Sequence, residues 1–549
     1  MADTRYLIRQ AHGGEIREIG DDALPFFPGW VIIETLGAPP ATALPAVPVV
    51  HYADANALRP DTIQPVVWYG TVEPANLDDS RGDAWVNSGL GLTAAQIAAD
   101  PTVRAAFGLL ASPTGGNDTA MINAALTANG RVSTQPGKNY LTSGLITVPA
   151  GRSLIIAEGS SITATGAGAG IVLAGQGAKV IGPGVFDGAN LINYLVTINA
   201  AKTLTSGVTL RNSNLYGINL AAADAVIEGN VFEAIPSYAL LAEGAAVVRP
   251  SFRGNTLVNC GQGAMFKDGP RDGTAADNTM QVNGGVGLEA SGADNFTFTG
   301  NTITGGVGIG ISLAAADHCT VVGNSVSGHT QIGIENTQGS SHNVITGNNV
   351  GPSTAGAAVG IQDTTISDTT HPQIGVAISG NLIRGQSGAG ILAQRGRAHN
   401  ITGNVIEDCA GSAMYVEGGA HTIANNIVRH SAPPSSWVGV EVFGGPHVFH
   451  GNTINVPTGA NSICIRFAAA ADTQVTDNFT QNGAYGYALN NCTRTVLNGN
   501  RSTGTTTASA FLFGTSSTCR VLTHLSTLTS GSAVTNDAGA TITGPLYAI

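Results

Sequence analysis

The chain has 549 residues, of which only 11% are charged, and its formal net charge of -12 excludes non-specific nucleic-acid binding, which needs a basic face to displace counterions from phosphates. No apolar run approaches the roughly 20 residues of a membrane span, so membrane insertion is not expected. Its 74 glycines, with abundant Ala, Thr, Ser and Asn, resemble a disordered composition until the regular Val/Ile spacing is noticed, and stacked turns explain both features.

The opening Met1-Ala-Asp-Thr-Arg lacks the basic and apolar regions of a signal peptide, so synthesis and folding in a cytoplasm are expected. Residues 1–92 hold Trp30, Trp68 and Trp85 and a proline-rich stretch from Pro39, which predicts a small, separate β-rich domain. Residues 93–115 read as a helical linker, interrupted at Pro101. Asp118 or Thr119 then caps a predicted helix through Leu126, placed to close the end of the solenoid that follows, since an uncapped coil exposes its core and its strand edges.

From 116 to 520 the text repeats. A phrase of apolar, any, Gly, Asn, any, apolar returns as IEGNVF at Ile227, FTGNTI at Phe298, VVGNSV at Val321, ITGNVI at Ile401 and FHGNTI at Phe449. Its register runs through Asn230, Asn255, Asn278, Asn301, Asn324, Asn348, Asn381, Asn404, Asn426, Asn452, Asn478 and Asn500. The usual step is about 23 residues, a period that marks a solenoid. It fits one coil of three short strands, each coil adding about 4.8 Å along the axis. The fold class is therefore all-β, a right-handed single-stranded parallel β-helix. Asn at a fixed corner has a reason, because it tolerates a left-handed backbone and its amide can bond to the copies above and below. Residues 521–549 lose the phrase and are expected to end or cap the stack.

Each repeat carries a second strand of the form GIGISL, from Gly308, in which apolar residues alternate with Gly or polar ones. Stacked in register, the outward positions read Lys267, Glu289, Ser312, Glu335 and Gln362, and farther along Gln394, Arg395, Glu417 and Glu441. A polar face with this repeat suits an extended sugar polymer better than a compact metabolite, and Lys267, Ser312, Gln362, Asp363, Arg395, Glu417 and Glu441 are its expected glycan contacts. Glu289 and Glu335 fall two coils apart, about 9 to 10 Å. An inverting glycosidase separates its acid and base by about 6.5 to 9.5 Å, so the pair is an admissible catalytic pair; Asp268, Asp272 and Asp363 stand as alternatives. A lyase would need clustered carboxylates for Ca²⁺ or an Arg beside its base, for which Arg395 and Arg397 near Glu417 are the available residues; no dense acidic cluster is present.

The longer step from Asn348 to Asn381 places a bulging loop at Ile361 to Gln373, a candidate binding loop or a plain surface insertion. His318, His342, His399, His421 and His447 each precede a phrase Asn by a nearly constant interval and predict one ladder at one corner, with a turn-capping role and no metal site. Tyr216 and Tyr238, and likewise Tyr415 and Trp437, lie one repeat period apart and are expected to stack on adjacent coils. The six cysteines are scattered, without metal spacing, and read as buried thiols. No cofactor is expected.

Asp118, Thr119, Ala120, Ile122, Ala125 and Leu126, followed by Pro136, Gly137 and Tyr140, make the segment Gly116 to Ile155 resemble the opening of the pectate-lyase-like β-helix proteins. VVWYGTVEPANLDDSRGDAWV, Val66 to Val86, resembles a short unit of bacteriophage tail fibre and minor tail proteins. A small amino-terminal domain, a helical link and a β-helix, in that order, are similar to the tailspike layout. That resemblance implies a homotrimer in the virion, attached to other phage tail proteins through its amino-terminal region. Its β-helix would bind a bacterial surface glycan during host adsorption, with or without depolymerising it. Two rivals remain: a structural tail spacer without glycan activity, and a cellular polysaccharide lyase or epimerase, against which the absent signal peptide argues.

Overall fold

The computed structural model describes residues 108–354, 356–364, 373–434, 436–456, 462–513, 518–528 and 532–536, with the backbone of the strands Arg5–Gln10, Ile16–Gly20, Trp30–Leu36, Val49–His51, Val66–Trp68, Thr541–Ile542 and Leu546–Ala548. Of the expected domain of residues 1–92 the structure describes the backbone of the first five of those strands alone, the first three forming an antiparallel sheet with Arg5–Gln10 in the middle and the next two an antiparallel pair; the linker as far as 107 lies outside the described residues. The chain divides into two compact units, Met1–Asn212 and Ser213–Ile549.

In both units the chain coils through three short parallel strands per turn, one for each of three sheets. The first unit shows this in Arg131–Ser133 (sheet 1), Asn139–Thr142 (sheet 2) and Leu145–Val148 (sheet 3), whose residues pair with those of Ser153–Ile155, Ser161–Ala164 and Gly170–Leu173 one coil on. In the second unit Thr297–Thr299, Thr302–Thr304 and Ile309–Ala314 pair in the same way with Thr320–Val322, Ser325–Val326 and Ile332–Thr337. The fold is the expected all-β, right-handed parallel β-helix.

The strands of sheets 1 and 2 are so short that commonly only the middle residue points inward, which is why one apolar residue per strand suffices. Phe298, Val321, Ile345, Ile378, Ile401, Ile423 and Phe449 occupy one interior column and are fully buried. Each such side chain stabilises the stack by roughly 1.5–3 kcal/mol. The helix Thr119–Ala128 buries Ile122 and Leu126 in the first unit. Its N-cap is Asp118, yet that carboxylate makes no cap bond; it accepts from the Thr114 N–H and hydroxyl and from the Leu141 N–H, tying the helix to the first coil, while Asn117 Oδ1 accepts from the Thr119 N–H.

The Asn register holds from Asn230 to Asn500, and its chemistry differs from expectation in one respect. The left-handed residue is the one before each Asn: Gly300 (φ 65°), Gly323 (φ 65°) and Gly347 (φ 63°), with Asp277, Asn425 and Asp477 where the phrase lacks Gly. The Asn itself turns inward. Asn324 Oδ1 accepts from the Asn301 N–H (3.0 Å) and Asn301 Nδ2 (2.9 Å), while Asn324 Nδ2 donates to Asn348 Oδ1 (3.0 Å) and the Phe298 carbonyl (2.9 Å). Amides along the ladder are thereby satisfied in the buried interior. His524 lies opposite Asn500 one coil on.

The glycines of the GIGI strands are inward corner residues, not outward spacers. A Cβ on Gly333 would lie 2.6 Å from the Gly360 carbonyl oxygen and 2.5 Å from Val350 Cγ1, so only Gly lets successive coils close up there. At the expected loop, Ile361 to Thr364 continue sheet 3 opposite Ile334 to Thr337; residues 365–372 lie outside the described residues, and Gln373 is buried. Beyond Val521 the strands His524–Leu528, Ser532–Asn536, Thr541–Ile542 and Leu546–Ala548 go on pairing in parallel with the preceding coil.

Candidate functional site

Sheet 3 has the longest strands in the second unit, and its outward side chains form axial columns. Register stacks Met265, Glu289, Ser312, Glu335 and Gln362 in one column, continued by Leu392, Tyr415, Glu441 and Arg466. Glu289, Ser312, Glu335, Gln362 and Glu441 therefore share a column as expected.

The other expected members do not. Lys267 lies opposite Ser291, Gln394 opposite Thr364 and Glu417 opposite Phe443, all two positions downstream of the column, because outward positions alternate and these belong to the next one. Lys267 is tied there to Glu243 (3.6 Å) and Asp268 (3.4 Å). Arg395 sits exposed at a left-handed position (φ 63°) where the register with the next strand shifts. Asp363 points into the coil, in the column of Leu313, Asn336 and Ala393, so it is not a glycan contact. Of the alternatives, Asp268 and Asp272 both occupy left-handed turn positions outside the column.

Within the column, Tyr238 Oη donates to Glu289 Oε2 (3.1 Å) and Ser312 Oγ donates to Glu335 Oε2 (2.9 Å). Burial raises the pKa of both carboxyls. Their surroundings then diverge. The Tyr238 hydroxyl and the Lys267 charge favour ionised Glu289, whereas the charge of Glu289 pushes Glu335 further up, opposed by Ser312. Burial, and then the charge of Glu289, push the Tyr238 phenol up as well, so that it keeps its proton to donate. The middle of the column is withdrawn from solvent, with Ser312 4%, Glu335 9% and Gln362 6% exposed, while Glu289 is half-buried.

Aromatic residues lie on either side of these carboxyls along the axis. Tyr216 and Tyr238 stack at 6.4 Å and 15°, as the spacing predicts. Tyr415 and Trp437 do not pair: Trp437 is buried, donating Nε1 to the Gly411 carbonyl (2.7 Å), and Tyr415 meets Phe443 instead (5.0 Å). The role of Tyr238 beside Glu289 was not legible, since the two sit two coils apart and off-column. Arg466 could have been found, because it follows Glu441 by one repeat period, and it bonds to that carboxylate at 2.7 Å.

The histidines form two groups. His318 and His342 stack outside at 5.1 Å, at left-handed positions, whereas His399, His421 and His447 lie one register position later and stack inside the coil at 4.8 and 5.2 Å. The inner ones do what Asn does elsewhere: His399 Nδ1 accepts from the Val376 N–H and His421 Nδ1 from the His399 N–H. His399 Nε2 therefore carries a proton and faces Asp363 Oδ2 at 2.9 Å, while Asp363 Oδ1 accepts from Asn336 Nδ2 at 2.8 Å. Among the described residues no three His, Cys, Asp or Glu side chains gather as metal ligands. All six cysteines are buried free thiols, pushed up to about 11 at Cys260 and about 12 at Cys409 by burial.

Residues 194–350 and 359–524 match the family described as right handed beta helix region, and the chain belongs to it. No curated protein matches the chain in sequence. Solved structures with the architecture include the A-module of mannuronan C-5 epimerase AlgE6 from Azotobacter vinelandii, at 14% identity over 76% of this chain and 96% of that one, with TM-score 0.29. Others are PfbA, a surface adhesin of Streptococcus pneumoniae (12% identity, 79% and 91% covered, TM-score 0.31), and tailspike protein 3 of bacteriophage CBA120 (11%, 78% and 60%, TM-score 0.30). These likenesses concern the architecture alone.

Proposed function

We propose that the outward face of sheet 3 binds a bacterial surface polysaccharide along the coil axis, and that Glu289 and Glu335 hydrolyse it with inversion. One observation carries this reading: two desolvated carboxyls stand in one axial column, two coils apart, both raised by burial, a rise that Tyr238 and Lys267 oppose at Glu289 and that the charge of Glu289 reinforces at Glu335. Strand spacing sets them about 9 to 10 Å apart, at the upper end of the separation that leaves room for a water in an inverting glycosidase. Glu335, beside the charge of Glu289, holds the proton and delivers it to the glycosidic oxygen. Glu289, whose charged form Tyr238 and Lys267 favour against the effect of burial, takes a proton from the attacking water.

In this reading the protein is a tail component of a bacteriophage, acting on the virion as a homotrimer. Its amino-terminal region joins it to other tail proteins, and the β-helix meets the host. The sequence of Val66 to Val86 and the order of the segments support that setting.

The test is depolymerisation. Purified protein is incubated with a range of bacterial envelope polysaccharides while reducing ends, fragment size and the absorbance of unsaturated sugars are followed. New reducing ends without unsaturation, abolished by Glu335→Gln and by Glu289→Gln while polymer binding persists, are expected. Unsaturated products would replace hydrolysis by a lyase reaction, and absence of both binding and cleavage would leave a structural spacer.

A further inference from the structure

Sheet 3 carries a second constellation that the carboxyl pair does not use. Tyr415 lies in the same column three coils beyond Glu335, about 14 Å by strand spacing. Its ring meets Phe443 of the next coil at 5.0 Å and 30°, and both rings are half-buried. Arg466, one coil further, lies over Phe443 at 6.0 Å and places Nη2 2.7 Å from Glu441 Oε2. Ser412 Oγ donates to the other carboxylate oxygen, Oε1, at 3.1 Å, and the Gln394 side chain bonds to Tyr415.

These groups are held in place without having a core to build. A half-exposed aromatic pair offers a flat apolar surface, and the fixed ion pair sets donors and acceptors at its edge, the combination of apolar wall and few directed polar groups that small-molecule sites use. Arg466 Nε is buried and has no hydrogen-bond partner among the described residues. The charges of Arg466 and Glu441 cancel, and Glu417 adds a negative charge near Tyr415. An anionic sugar would meet that carboxylate with its nearest cation already paired.

We propose that Tyr415, Phe443, Glu441, Arg466 and Gln394 form a subsite for a neutral sugar, which anchors the glycan at a distance from the carboxyl pair. This rests on the reading of sheet 3 as a glycan-binding face. The anchoring interaction is present before and during bond cleavage alike, so its loss raises KM rather than lowering kcat.

The experiment uses an array of purified neutral and acidic bacterial O-polysaccharides and capsules, probed with the full chain, with Glu335→Gln to keep polymers intact, and with Tyr415→Ala and Phe443→Ala added singly to it. Thermal melts establish that each variant is folded, and Tyr415→Phe, which keeps the ring, serves as the conservative control. Retention of a neutral polysaccharide, insensitive to salt, weakened on the order of tenfold or more by either Ala substitution and largely kept by Tyr415→Phe, is expected. Equal binding by both Ala variants overturns the subsite and leaves the glycan-binding face standing. Retention only of acidic polysaccharides, falling steeply with salt, overturns the neutral class. If the full chain holds no polysaccharide, the reading of the face fails and the subsite with it.

Discussion

At Glu289 a single hydroxyl works against burial. The Tyr238 Oη donates to the ionised carboxylate and so lowers its pKa against the burial that raises it. Tyr238→Phe removes that bond and keeps the ring, so the pKa of Glu289 rises and the acidic limb of a pH–rate profile for depolymerisation moves to higher pH. An unmoved limb would take Glu289 out of the role of base. Each ladder Asn is a different kind of residue, one whose value lies in leaving nothing unpaired. Asn324→Ala strands the Asn301 N–H and takes a donor from the Phe298 carbonyl in the interior, while Asn301 Nδ2 keeps its bonds to the Ala275 and Thr299 carbonyls. Each orphaned buried group costs about 1–3 kcal/mol, so a loss of roughly 2–4 kcal/mol in a urea titration is expected, against little change for an exposed Asn such as Asn400.

Among the elements, the inner histidine stack brings a dependence on pH to the coils between 376 and 447. Burial, then the neighbouring His399 and His447, hold His421 down to about 3. A folded pKa below the unfolded value near 6.5 means that unfolding takes up a proton, so stability is full above about pH 6.5 and declines as pH falls toward 3. Between pH 7 and 4.5 this one group removes on the order of 2–3 kcal/mol. His421→Asn, which retains an acceptor for the His399 N–H, is expected to flatten that part of the stability profile, measured by denaturant unfolding at several pH values. An unaltered slope would place the acid sensitivity elsewhere. The recurrence of these histidines is legible in the sequence and their division is not, since one residue of register separates a solvated corner from the interior.

For the whole molecule, coils that touch only their neighbours make stability a sum over rungs and leave long faces free for extended ligands. The homotrimer expected for a tail protein predicts a sedimentation mass three times the 55.4 kDa of the chain, independent of dilution over the working range. A mass of one chain would remove the trimer from the proposal.

The sequence alone was enough to establish the solenoid, its period and the corner that each phrase Asn occupies, because a one-dimensional stack repeats the same local demands every coil: a left-handed residue, an inward amide, one apolar side chain per strand. It also placed Glu289, Ser312, Glu335 and Gln362 in one column, where the GIGI phrase is regular. Tertiary structure alone decided the rest. Where a bulge, an insertion or a register shift intervenes, a single residue moves a side chain from the solvent face to the core, and a step of two moves it to another column, as with Asp363 in the interior and Lys267 and Glu417 off the column. The Tyr238–Glu289 and Tyr415–Phe443 contacts run diagonally between coils, so neither shares a spacing that repeats along the chain. They follow from how far adjacent rungs are offset, a quantity set by the packing of the interior and written in no single phrase.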